Sequence, residues 1–169
     1  TRPNVLRAVL GQAEAVSEAK PLDWECDTVT VIETNLDDIN AEHLGHFVET
    51  ALEAGALDVF HTPIQMKKNR PGVLLTVLCA EADADRFSEL ILRETTALGV
   101  RRHAADRRKL HREVVTVETL LGQVRVKLGR LNGEVVQAAP EYESCREIAA
   151  KAGVPIKAVY AAAQKVLEN

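Results

Sequence analysis

The chain has 169 residues, of which 46% are hydrophobic and 27% charged, the proportions of a globular protein rather than a disordered or fibrous one. A net charge of −4 argues against bulk attraction to nucleic acid, and no apolar run is long enough to cross a bilayer. Aromatic residues make up only 4%, so a core must be built mainly from Val, Leu, Ile and Ala.

Residues 1–24 open with a short apolar piece, Val5 to Leu10, followed by the polar, Ala/Glu-rich stretch Gly11 to Lys20 and by Pro21. Gly11 to Lys20 has linker composition, and we expect residues 1–24 to be a tail or linker carried over from an absent N-terminal domain. Val29-Thr30-Val31-Ile32-Glu33-Thr34 is β-branched and reads as a strand, running into the polar turn Asn35 to Asp38. A helix follows, capped by Asn40 with Glu42 in its first turn. Leu44, Phe47, Val48, Ala51 and Leu52 recur at helical spacing, and Gly55 closes the helix.

Leu57 to Gln65 reads as a second strand and Val73 to Cys79 as a third, with the basic turn Met66 to Gly72 between them. Asp83 and Asp85 precede a second helix that carries Phe87, Leu90 and Ile91 on one face and ends near Ala97-Leu98-Gly99. Val100 to Ala105 reads as a fourth strand. The order β-α-β-β-α-β implies an α+β fold with a ferredoxin-like core over residues 25–108. Residues 109–169 are expected to form a β-hairpin extension and a C-terminal helical hairpin. Glu113 to Thr119 and Gly122 to Leu128 alternate in the strand manner, and Asn132-Gly133 is a two-residue hairpin signal. We expect these strands to extend the first sheet. A helix beginning at Pro140 would bury Cys145, Ile148, Ala149 and Ala152 and stop at Gly153. The next, opening at Pro155, would bury Ile156, Val159, Tyr160, Ala163 and Val166.

The ferredoxin-like order gathers three segments at one end of the sheet: the exit of the first strand, the basic turn, and the entry to the fourth strand. Asp37 and Asp38, with Glu33 nearby, offer oxygen ligands suited to Mg²⁺ or Mn²⁺ beside phosphates; the same residues also suit a polar turn that compensates a helix dipole. Lys67, Lys68, Arg70, Arg93, Arg101 and Arg102 could neutralise a triphosphate, with hydroxyl contacts from Thr95 and Thr96. Arg107, Arg108 and Lys109 read as a solvated loop or an intersubunit contact. His43 and His46 read as a surface pair. No P-loop and no dinucleotide fingerprint is present. The two C-terminal helices could mimic a helix-turn-helix, but the four acidic and four basic side chains between Glu141 and Asn169 balance, so no DNA partner is expected. Cys26, Cys79 and Cys145 lack zinc or disulfide spacing and read as reduced, largely buried thiols, which together with the lack of a signal peptide implies a cytoplasmic protein with no membrane partner.

Glu33 to Asp38, Ala56 to Phe60, Thr62 to Gly72, Arg93 to Arg101 and Pro140-Glu141-Tyr142-Glu143 resemble the C-terminal region of the LarC family of nickel-insertion proteins. The resemblance implies a nickel chelatase, or cyclometallase, that uses CTP with Mg²⁺ or Mn²⁺. Its substrates would be Ni²⁺ and the pincer mononucleotide precursor, pyridinium-3,5-bisthiocarboxylic acid mononucleotide, and its product the nickel-pincer nucleotide of lactate racemase. It also implies that this region binds CTP and a divalent ion, and the residues read above assign CTP to Lys67, Lys68, Arg70, Arg93, Thr95, Thr96 and Arg101. Glu33, Asp37 and Asp38 would hold the divalent ion, and the chain would form a homo-oligomer, a trimer or hexamer. The alternative is a non-catalytic, PII-like oligomerising or nucleotide-sensing module.

Overall fold

The computed structural model describes residues 22–167; the tail expected over residues 1–24 lies almost wholly outside them. The chain divides into two compact units, one spanning 25–110 and the other containing 111–167 together with residues 22–24.

The first unit begins with strand β1 (Glu25–Leu36), helix α1 (Ala41–Glu53) and strand β2 (Asp58–Met66). Strand β3 (Arg70–Cys79), helix α2 (Ala84–Glu94) and strand β4 (Arg101–Lys109) complete it. The sheet order is β2-β3-β1-β4 and every neighbouring pair is antiparallel, so β1 is bonded along both edges. Alternation along β1 and β3 sends Ile32, Leu36, Leu75, Val77 and Cys79 to one face. There they meet Leu44, Phe47 and Ala51 of α1 and Phe87 and Ile91 of α2. Each fully buried side chain of this kind contributes roughly 1.5–3 kcal/mol. The expected cap is present: Asn40 Oδ1 accepts from the Glu42 amide at 2.7 Å. Leu52, assigned to the core by its spacing, is exposed, because α1 has only one neighbouring face to bury.

The boundaries of three elements differ from the sequence reading. Helix α2 ends at Glu94, not near Gly99: Thr95 Oγ1 donates to the Ile91 carbonyl at 2.7 Å and accepts from the Ala97 amide at 3.1 Å, turning the chain out of the helix. Strands β1 and β4 are both longer than expected. Arg107, Arg108 and Lys109 belong to β4, not to a solvated loop. Their register sets Arg107 opposite Asp27 and Lys109 opposite Glu25, cations against acids, with Arg108 opposite Cys26 between them. Arg107 grips Asp27 through both oxygens, at 2.9 and 2.7 Å, and Lys109 reaches the same carboxylate at 3.0 Å.

The second unit has its own sheet rather than an extension of the first. Strands β5 (His111–Thr119), β6 (Gly122–Leu131) and β7 (Glu134–Pro140) pair in that order, all antiparallel. The hairpin expected at Asn132-Gly133 is there, both residues having positive φ (51° and 81°). Helices α3 (Tyr142–Ala152) and α4 (Ile156–Leu167) cover one face, packing Cys145, Ala149, Val159 and Ala163 on Val124, Val126 and Leu128. Gly153 ends α3 in the left-handed conformation. Ala152 and Val166, expected in this core, are exposed. Burial pushes the Cys79 and Cys145 thiols up, whereas Cys26 is exposed. Among the described residues no helix is long and apolar enough to cross a membrane.

Arg107 and Lys109 hold the Asp27 carboxyl well below the usual carboxylate range. Asp27 ionises more readily folded than unfolded, so this stabilisation is complete above its unfolded value of about 4 and is lost as pH falls below it. Asp27→Asn should lower the thermal midpoint at neutral pH and flatten its acid decline below about pH 4, as followed by circular dichroism; an unchanged acid limb would refute the assignment.

Candidate functional site

The register of the first sheet decides which side chains meet. Leu36 lies opposite Val73 and Glu33 opposite Arg101, so the exit of β1, the β2–β3 connection and the entry to β4 share one end. Each carboxylate there is held by a different neighbour. Arg101 Nε donates to Glu33 at 3.0 Å and Arg70 Nη1 to Asp37 at 3.1 Å. Thr96 Oγ1 donates to Asp38 at 2.5 Å. The loop that carries Thr96 is fixed on its other side by Thr34, a buried threonine whose Oγ1 donates to the Gly99 carbonyl at 2.9 Å.

The β2–β3 connection is a one-turn 3-10 segment, Lys67–Asn69. Lys68 and Asn69 both adopt left-handed backbone, at φ 59° and 58°. A lysine in that region is uncommon and costs of order 1 kcal/mol or more. The strained turn raises Lys67 and Lys68 into solvent, and neither forms an ion pair among the described residues. The cluster therefore combines two solvated ammonium groups with two guanidinium groups that hold carboxylates loosely: Arg70 and Arg101 are 55% and 54% exposed. Exposed pairs of this kind are worth about 1 kcal/mol or less, so an incoming anion can exchange for them.

Two of the expected cations are elsewhere. Arg93 donates to Glu89 at 2.7 Å, one turn back on α2, and lines a shallow groove with Ala54, Phe87 and Leu90. Arg102 points to the helical side of the sheet and pairs with Asp85. It lines a groove of about 370 Å³ with Thr30, Glu81 and Ala84, whose lining shares no residue with the acidic cluster. Thr95 is occupied in ending α2. Among the described residues no three His, Cys, Asp or Glu side chains converge as a metal cage. A hard divalent ion here would draw on one or two of these carboxylates, with phosphate oxygens and water completing its shell, and the carboxylate oxygens of Asp37 and Asp38 fit that partial donor set.

Gly72 was read only as part of a turn, yet it is the residue that lets the cluster close. A Cβ there would lie 2.6 Å from the Leu36 carbonyl oxygen and 2.8 Å from Met66 Sδ. Only glycine admits this approach, which sets the start of β3, and Arg70 with it, against the end of β1.

The nickel insertion protein family matches residues 1–160. The pyridinium-3,5-bisthiocarboxylic acid mononucleotide nickel insertion protein of Acetivibrio thermocellus is 43% identical over 166 residues, covering 98% of this chain and 39% of that protein. Its counterpart in Thermotoga petrophila is 42% identical over 167 residues, covering 99% of this chain and 40% of that protein. The chain thus spans well under half the length of these relatives. Among solved structures, it is similar to the apo form of LarC2, the C-terminal domain of a cyclometallase involved in synthesis of the NPN cofactor of lactate racemase. That similarity has a TM-score of 0.81 at 42% identity, over 86% of this chain and 100% of that one.

Gly72→Ala should destabilise the first unit by about 1–3 kcal/mol, because the obstacle is backbone that cannot move aside. Urea denaturation measures it; a loss below about 0.5 kcal/mol would mean that the approach is not enforced.

Proposed function

This chain belongs to the nickel insertion protein family, and from that premise we propose that it is the part of such a protein that binds CTP with Mg²⁺ or Mn²⁺. The observation that carries the reading is the pairing of Asp37 with Arg70, Glu33 with Arg101 and Asp38 with Thr96 at one sheet end, beside Lys67 and Lys68, which form no ion pair among the described residues. Metal and phosphate recognition call for this mixture of oxygen ligands and cations.

In this reading Lys67, Lys68 and Arg70 take phosphate oxygens. Arg70 turns its fork from Asp37 to the ligand, and Arg101 remains oriented by Glu33. Asp37 and Asp38 would hold the divalent ion, which when bound supplies positive charge against the triphosphate. Glu33 acts on Arg101 rather than as a third metal ligand. Thr96 and the Thr34–Gly99 contact keep the third segment in place, while Thr95 stays structural and Arg93 contributes only if its helical pair with Glu89 opens. Cationic clamping would also stabilise charge that develops if the triphosphate is cleaved.

Insertion of Ni²⁺, the inserted substrate, into pyridinium-3,5-bisthiocarboxylic acid mononucleotide is proposed of the whole protein, including sequence beyond this chain. The element order and sheet order of the first unit support a ferredoxin-like assignment. Assembly of the chain into a homo-oligomer, a trimer or hexamer, belongs to the same proposal.

Isothermal titration with CTP and Mn²⁺ tests the reading. The wild-type chain should bind, and at least two of Lys67→Ala, Lys68→Ala and Arg70→Ala should weaken binding ten-fold or more, about 1.4 kcal/mol each. No heat from the wild type, or three variants that bind as it does, would refute it.

A further inference from the structure

Pro140-Glu141-Tyr142-Glu143 takes no part in the charged end of the first sheet; it lies in the second unit, where β7 hands over to α3. At Arg125 the ladder is continued by α3: the Glu141 amide donates to the Arg125 carbonyl at 2.8 Å, and Ser144 Oγ accepts from the Arg125 amide at 3.0 Å. The Glu141 carboxylate, only 14% exposed, then receives both Arg125 Nε at 3.0 Å and Lys127 Nζ at 3.5 Å. One sheltered carboxylate thus holds two cations.

Those cations stand on the open face of the sheet. Val124, Val126 and Leu128 are buried towards the helices, so Arg125 and Lys127 point the other way. The β5–β6 register sets Thr116 opposite Arg125, Val114 opposite Lys127 and Arg112 opposite Gly129, all on the same face. Arg112 is exposed and forms no ion pair among the described residues. The middle of the face therefore carries three cations against one carboxylate, and Glu118, at its far end, is engaged by Gln123 at 2.6 Å.

Neighbouring strands lie about 4.8 Å apart and alternate residues of a strand about 6.6 Å, so Lys127 stands one step from Arg125 and, across the strand pair, one step from Arg112, within reach of one small anion held between long cationic side chains. A carboxylate would fill a single guanidinium fork, whereas a tetrahedral dianion has oxygens for all three. A nucleic-acid strand is disfavoured, since among the described residues the strands carry no aromatic side chain on this face on which bases could stack. We propose that this face is a binding site for a phosphate monoester, contacted by Arg112, Arg125 and Lys127 with the Thr116 hydroxyl alongside. Glu141 acts as a positioning residue that presents Arg125 and Lys127.

The test titrates the isotopically labelled full chain with nicotinamide mononucleotide and, in parallel, inorganic phosphate. Amide shifts should fall on residues 112–116 and 123–127. An Arg112→Gln/Lys127→Gln double variant, altered only at exposed positions, should keep its thermal midpoint and bind at least ten-fold more weakly. Tighter binding of the mononucleotide assigns the site to an organic phosphate; equal affinities assign it to the phosphate group alone. Shifts confined to other residues, a double variant that binds as the wild type, or no saturation by either probe at millimolar concentration would overturn the proposal.

Discussion

Strand β1 pairs with β3 over residues 30–36 and with β4 over residues 25–33; Glu33 lies where the two pairings overlap, and Asp37 and Asp38 follow directly on its end. That double pairing sets the geometry of the charged cluster. The two neighbours deliver Arg70 and Arg101, and the loop before β4 delivers Thr96. The approach is as close as backbone permits, because Gly72 admits the Leu36 carbonyl where any side chain would exclude it. At the opposite end of β1, Asp27 between Arg107 and Lys109 pins the same strand to β4. The register is thus held electrostatically at one end and sterically at the other, while the apolar face packs on α1 and α2.

The ion pairs of the cluster are suited to exchange rather than to stability. Exposed guanidinium–carboxylate pairs contribute little to folding, but they keep four charged groups oriented and close, and in the proposed reading a ligand with phosphates and a divalent ion would compete for both partners. The strained Lys68-Asn69 turn has the same character, since its cost is met by the β2–β3 pairing on either side and its gain is two solvated cations held over the cluster.

Much of this was legible in the sequence. The Asn40 cap, the Asn132-Gly133 hairpin and the Phe47 and Phe87 helix faces follow from local chemistry that acts within a few residues. The convergence of the three segments followed from element order alone. What local chemistry does not carry is competition between distant groups. Arg93 has the composition of a phosphate ligand, but Glu89 lies one helical turn away and takes it. Arg107 to Lys109 read as a solvated run until the acids opposite them, some 80 positions earlier, are known to share their ladder. Likewise β5 to β7 look like an extension of the first sheet, because nothing in their alternation says which sheet an edge will join. The steric role of Gly72 and the two-cation grip of Glu141 are tertiary facts of the same kind.

The central claim is that the end of β1, the Lys67–Asn69 turn and the loop before β4 act together on a metal–nucleotide complex. Paramagnetic broadening of backbone amides by Mn²⁺, recorded with and without CTP, tests it most directly. Broadening that requires CTP and centres on residues 33–38, 66–72 and 95–101 is the predicted result. Broadening that centres elsewhere, or that Mn²⁺ produces equally without CTP, would contradict the account.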